Sequence, residues 1–166
     1  MKKHKTEIQG LRAIAVLSVI FYHAGFNSFS GGFIGVDIFF VISGYLITDQ
    51  IYTSYFNNSF KLLKFYEKRI RRIVPPVFVV VLIFIPICFF VLYPRDLREF
   101  GQSLVSLSFF LSNFFFSYKS SYFDLASELR PLLHTWSLSL EVQFYILFPL
   151  LLIFILKKNN QHFFCF

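Results

Sequence analysis

An all-α membrane protein, a polytopic bundle of transmembrane helices, is the fold class this sequence predicts, and three observations carry the prediction. The 166 residues are 56% hydrophobic and 15% charged, with 26 phenylalanines. A soluble domain of this size cannot bury that much apolar surface. The apolar residues also fall in long blocks instead of narrow helical stripes, which is the pattern of repeated membrane crossings. Charge placement is the third observation. The net charge is +7, with Lys2, Lys3 and Lys5 before the first block and Lys61, Lys64, Lys68, Arg69, Arg71 and Arg72 between the second and third. Two cationic clusters separated by two spans obey the positive-inside rule with a cytoplasmic N-terminus.

The elements follow in order. Span one is expected over residues 8–26, and a short NSFSGG loop leads to span two over 33–52. Residues 55–73 form a basic connector, expected as an amphipathic helix on the cytoplasmic surface with Phe60, Leu63, Phe65, Tyr66 and Ile70 toward lipid. Span three is expected to start at Pro75-Pro76, since proline suits a first helical turn, and to run to Tyr93. After the polar break PRDLREFG, residues 100–117 are apolar but carry Gln102, Ser103, Ser106, Ser108, Ser112 and Asn113. That mixture fits either a span facing other helices or a re-entrant segment. A loop over 118–136 precedes a last span over 138–156. The total is about four or five hydrophobic segments. If Lys157 and Lys158 are cytoplasmic, an even number of crossings fits, which favours the re-entrant reading. Residues 157–166, KKNNQHFFCF, read as a short tail out of frame with the rest.

Charge and cysteine content narrow the chemistry. A basic cluster flanked by spans meets anionic headgroups or a phosphorylated cytosolic ligand, and no nucleic-acid partner is expected. Cys88 and Cys165 have neither metal-ligand spacing nor a disulfide framework, so no metal is expected. No small-residue cleavage site follows span one, which is read as an uncleaved span and not a signal peptide.

Ionisable residues at membrane depth are the candidate site, because such groups are costly there. Arg12 and His23 are both in span one. The helical advance between them is about 1100°, within roughly 20° of whole turns, so they share a face about 16 Å apart along the axis. His23, near the outer end, can act as general base or acid or as a nucleophile, or can simply hydrogen-bond a neighbouring helix. Asp37, early in span two, is expected at similar depth across the hairpin. There it either orients the imidazole or complements the positive end of its own helix. Gly31, Gly32 and Gly35 fit close packing of that hairpin better than a phosphate loop. Arg69 and Arg72 are one turn apart at the cytoplasmic mouth, suited to bidentate capture of phosphates or to headgroup binding. His134 and Glu141 share a face if the last helix has begun by His134. Glu141 needs a partner within the membrane, for which Arg12 is one candidate.

Four stretches then resemble the acyltransferase-3 family of bacterial integral-membrane O-acyltransferases. EIQGLRAIAVLSVIFYHAG carries its Arg–x10–His arrangement at Arg12 and His23, and GGFIGVDIFFVISGYLIT looks like its second span. FYEKRIRRIVP carries its Arg-x-x-Arg at Arg69 and Arg72, and YFD…PLLHTWSLSLEVQFY resembles its histidine–tryptophan–glutamate block. The block usually has two adjacent glutamates, and here Val142 follows Glu141, so only Glu141 is carried over.

The resemblance implies an O-acyltransferase, acetyl being the usual group, of the bacterial cytoplasmic (inner) membrane. Acetyl-CoA or another acyl-CoA is the implied cytoplasmic donor, and a cell-surface or lipid-linked glycan hydroxyl is the acceptor. On that basis Arg69 and Arg72 are expected to hold the donor's phosphates, and His23, oriented by Asp37, to activate the acceptor hydroxyl or carry the acyl group transiently. Arg12, His134 and Glu141 line the path or stabilise developing charge. Family members carry about twice as many spans, so residues 1–156 are expected to be the N-terminal part of the transmembrane domain. The missing C-terminal half would then be a partner, and the chain alone an inactive fragment. The rival reading is a proton-coupled transporter or exporter, for which intramembrane His, Asp and Glu would form a relay.

Overall fold

The computed structural model describes residues 6–119 and 130–163. In chain order these form α1 (Thr6–His23), α2 (Ile34–Phe56), α3 (Leu62–Val91), α4 (Pro94–Ser108), α5 (Ser112–Lys119) and α6 (Thr135–Phe163), with a 3-10 turn at Asn27–Phe29. No strand occurs among the described residues. Three stretches are long and apolar enough to cross a bilayer: Asn27–Phe56, Leu62–Val91 and Thr135–Lys158. The chain is an all-α, multi-pass membrane protein.

Two expected segments differ from that set. At 18 residues α1 is about 27 Å long, and Glu7, Gln9, Arg12 and His23 lower its hydropathy below that of the other three. The segment 100–117 is not one helix. α4 already starts at Pro94, so PRDLREFG forms its opening turns, and the helix stops after Ser108. α5 resumes at Ser112. Neither piece is long enough to cross alone.

The basic connector is also a correction. A separate surface helix over 55–73 was expected, followed by a span starting at Pro75. Instead α3 is one helix of 30 residues with Pro75, Pro76 and Pro86 inside it. Proline removes a hydrogen bond and crowds the preceding turn. In lipid, however, a broken helix would leave backbone groups with no water to bind, so helices there run on through proline.

Three helices end by the same device. After α1, Gly25 takes φ 78°. The Phe26 N–H donates to the Phe21 carbonyl at 3.1 Å and the Gly25 N–H to Tyr22 at 3.1 Å. That is a Schellman cap, completed by an edge-on contact of the Phe21 and Phe26 rings at 5.5 Å. Asn58 (φ 51°) ends α2 and Phe110 (φ 53°) ends α4 with the same pair of bonds. Glycine and asparagine tolerate this left-handed backbone, whereas a bulky side chain such as that of Phe110 rarely adopts it.

The chain divides into two units, residues 1–60 and 61–166. In the first, α1 and α2 pack as a hairpin over Gly32, Gly35 and the fully buried Ala15. A methyl group on Gly32 would strike the Ser18 carbonyl and lie 2.8 Å from Tyr22 Cβ. One on Gly35 would strike the Ala15 carbonyl and lie 2.7 Å from Val19 Cγ2. Close packing is therefore the role of these two glycines, while Gly31 meets nothing nearer than 3.9 Å.

The second unit is built around Cys88, Phe100, Leu107, Phe116 and Leu132, with Trp136 against them. Polar contacts register its helices. Asn113 and Gln143 exchange amide hydrogen bonds at 3.2 and 3.0 Å, and Gln143 also donates to the Phe110 carbonyl at 2.8 Å. The Ser112 N–H donates to Ser139 Oγ at 3.3 Å. Arg130 Nε lies 3.0 Å from Glu99 Oε1, tying the approach to α6 onto α4.

Candidate functional site

His23 is the last residue of α1, placed there because Gly25 ends the helix two residues later. The ring Nδ1 lies 2.8 Å from the Val19 carbonyl. A carbonyl only accepts, so Nδ1 donates, and the neutral ring then carries its lone pair on Nε2. The Tyr22 ring meets the imidazole edge-on at 5.2 Å. His23 is exposed in the described structure.

Asp37 sits in the first turn of α2, also exposed, at the same end of the hairpin as His23. Its carboxylate complements the positive end of its own helix there. The Nδ1 partner of His23 is Val19 and not Asp37. Arg12 lies on the same continuous helix as His23, as their spacing requires, and is half-buried with its guanidinium 5.9 Å from the Phe39 ring centroid.

In the second unit Arg69 and Arg72 diverge. Arg72 is exposed, as is Arg71, which pairs with Glu67 at 2.9 Å. Arg69 is half-buried against α6, with its guanidinium 5.0 Å from the Tyr145 ring and 5.3 Å from Phe65. Phe65 and Tyr145 are themselves buried. The next residue on α6 is held too, since the Tyr66 hydroxyl donates to the Ile146 carbonyl at 2.9 Å. Arg69 therefore meets α6 well inside its apolar run and not at the end of it.

Glu141 is half-buried one turn before Tyr145 and accepts the Tyr145 hydroxyl hydrogen bond. His134 is exposed in the turn that precedes α6, which begins at Thr135. The helical-face relation of His134 to Glu141 is thus not strictly met. Among the described residues, no group of three or more His, Cys, Asp or Glu side chains gathers where a metal ion could be held.

Two residues join the site that the sequence did not mark for it: Tyr145, and Tyr66, which was expected toward lipid and instead bonds the Ile146 carbonyl. For Tyr145 a signal existed. It stands four residues after Glu141, on the same helical face.

The first unit thus sets an imidazole at a helix end, and the second places one arginine and one carboxylate against the same tyrosine. The chain belongs to the acyltransferase-3 family: the family model described as an acyltransferase domain matches residues 5–166. Two relatives sharpen this. The chain is 41% identical over 164 residues to a protein of Listeria monocytogenes named peptidoglycan O-acetyltransferase OatA, covering 96% of this chain and 26% of that one. It is 39% identical over 154 residues to the O-acetyltransferase OatA of Staphylococcus aureus, covering 91% of this chain and 25% of the relative. The chain thus spans about a quarter of the length of these relatives. No solved structure matches it significantly.

Proposed function

We propose that this protein contributes to the transfer of an acetyl group from acetyl-CoA to a hydroxyl of the cell-wall glycan, with peptidoglycan as the acceptor. The observation that carries the reading is the His23 geometry. Nδ1 is committed to Val19, which leaves the Nε2 lone pair as the basic nitrogen. In direct transfer Nε2 takes the hydroxyl proton as the sugar oxygen attacks the thioester carbon and the thiolate leaves. In a two-step transfer Nε2 first carries the acetyl group. Asp37, at the same end of the hairpin, favours the charged imidazole that either route produces.

The donor half-site belongs to the second unit. Arg69 and Arg72 supply fork-shaped cations for the donor's phosphates. Arg12 in the first unit, and His134 and Glu141 in the second, add polar groups that stabilise developing charge. The names of the two relatives support the acceptor class, and the basic end of α3 supports a donor arriving from the cytoplasm.

The test is base-labile acetate on wall glycan, measured in cells that express the protein with His23 or with His23→Ala at equal levels. The wild-type protein is expected to raise glycan acetate, and the variant to leave it at background. Equal acetate with both would overturn the assignment. An acetylated His23 peptide trapped by rapid acid quench would select the two-step route.

A further inference from the structure

Tyr145 touches both Arg69 and Glu141, through two different parts of its side chain. Its ring lies 5.0 Å from the guanidinium, and its hydroxyl donates to the carboxylate. We propose that Tyr145 is a positioning residue of the donor half-site, holding the Arg69 cation and the Glu141 anion in a fixed relation. The proposal rests on the reading that Arg69 binds the donor.

Three observations point this way. Tyr145 is buried, with 6% of its surface exposed, so its ring cannot swing away from either partner. The Tyr66 bond to the Ile146 carbonyl fixes α3 to α6 beside it, which sets the height of Arg69 on α6. Physical cost supplies the need. A guanidinium and a carboxylate in the apolar run of α6 each lose hydration, and an aromatic face and a phenol hydroxyl replace it in part. Because the hydroxyl bond joins residues four apart on one helix, the carboxylate is aimed by the same helix that presents the ring.

Two substitutions separate the functions of the side chain. Tyr145→Phe keeps the ring and removes the hydroxyl, whereas Tyr145→Leu removes both. With the protein in membranes and radiolabelled acetyl-CoA as donor, Tyr145→Phe is expected to lower kcat about tenfold with the donor KM nearly unchanged. Tyr145→Leu is expected to raise the donor KM about tenfold as well. A packing role alone would reduce only the amount of folded protein and leave both constants of the surviving fraction unchanged. That outcome, or a Tyr145→Phe variant with wild-type kcat, would overturn the proposal.

A thermal double-mutant cycle of Tyr145→Phe with Glu141→Gln decides the contact independently of activity. Effects that depart from additivity by about threefold or more in the unfolding constant support the coupling. Additive effects overturn it. Wild-type protein that transfers no acetyl would defeat the functional reading, and the thermal cycle would still judge Tyr145.

Discussion

The two units of this protein hold their helices together by opposite means. In residues 1–60, side chains are removed from the interface: Gly32 and Gly35 let the backbone of α2 approach that of α1. In residues 61–166, polar side chains are added to it: Asn113, Ser139, Gln143 and Tyr66 bridge helices through hydrogen bonds. Both are answers to the same problem, since lipid offers no hydrophobic drive for helices to associate. The first achieves contact by close approach, and the second by satisfying polar groups that have no water.

The difference predicts how each unit fails. Gly35→Val places a branched side chain against the Ala15 carbonyl, and the α1–α2 hairpin is expected to lose about 3 kcal/mol or more. Limited proteolysis in detergent should then cut residues 24–33 selectively. Gln143→Leu leaves the Asn113 amide and the Phe110 carbonyl without their partner, at an expected cost of about 2 kcal/mol. Faster hydrogen exchange confined to residues 108–119 would report that loss. Gly25→Ala is the mildest. No atom lies within 4 Å of the added methyl, so the cost is that of the left-handed backbone, about 1 kcal/mol. A thermal shift from Gly25→Ala as large as that from Gly35→Val would refute close approach as the basis of the hairpin.

The sequence made these two mechanisms unequally legible. Glycines spaced three apart in an apolar run advertise close packing, and Gly32 and Gly35 were readable as such. The apolar runs of α2, α3 and α6 were equally plain, because the bilayer sets their length. Among the polar residues of 100–117, those expected to face other helices divide. The Ser103, Ser106 and Ser108 hydroxyls bond back to carbonyls of their own helix, whereas the Asn113 side chain and the Ser112 backbone N–H reach α6. A serine hydroxyl can close locally, so its presence does not reveal a neighbour.

The continuity of α3 through Pro75 and Pro76 was hidden for a related reason, since proline's water-phase preference does not rule in lipid. At the site, the positions of His23 and Asp37 at one end of the hairpin followed from chain order alone. The inward turn of Arg69, against the exposure of Arg72, did not. It depends on which face of α3 meets Tyr145, a contact between residues distant in the chain.

The bend at Phe110 has a consequence for how the protein is made. Nothing in the local sequence favours a left-handed phenylalanine, and its carbonyl is held by Gln143, 33 residues later. That bond cannot exist until α6 has left the ribosome. Residues 94–119 are therefore made before the group that fixes their bend. A helix made later thus sets the shape of one made before it.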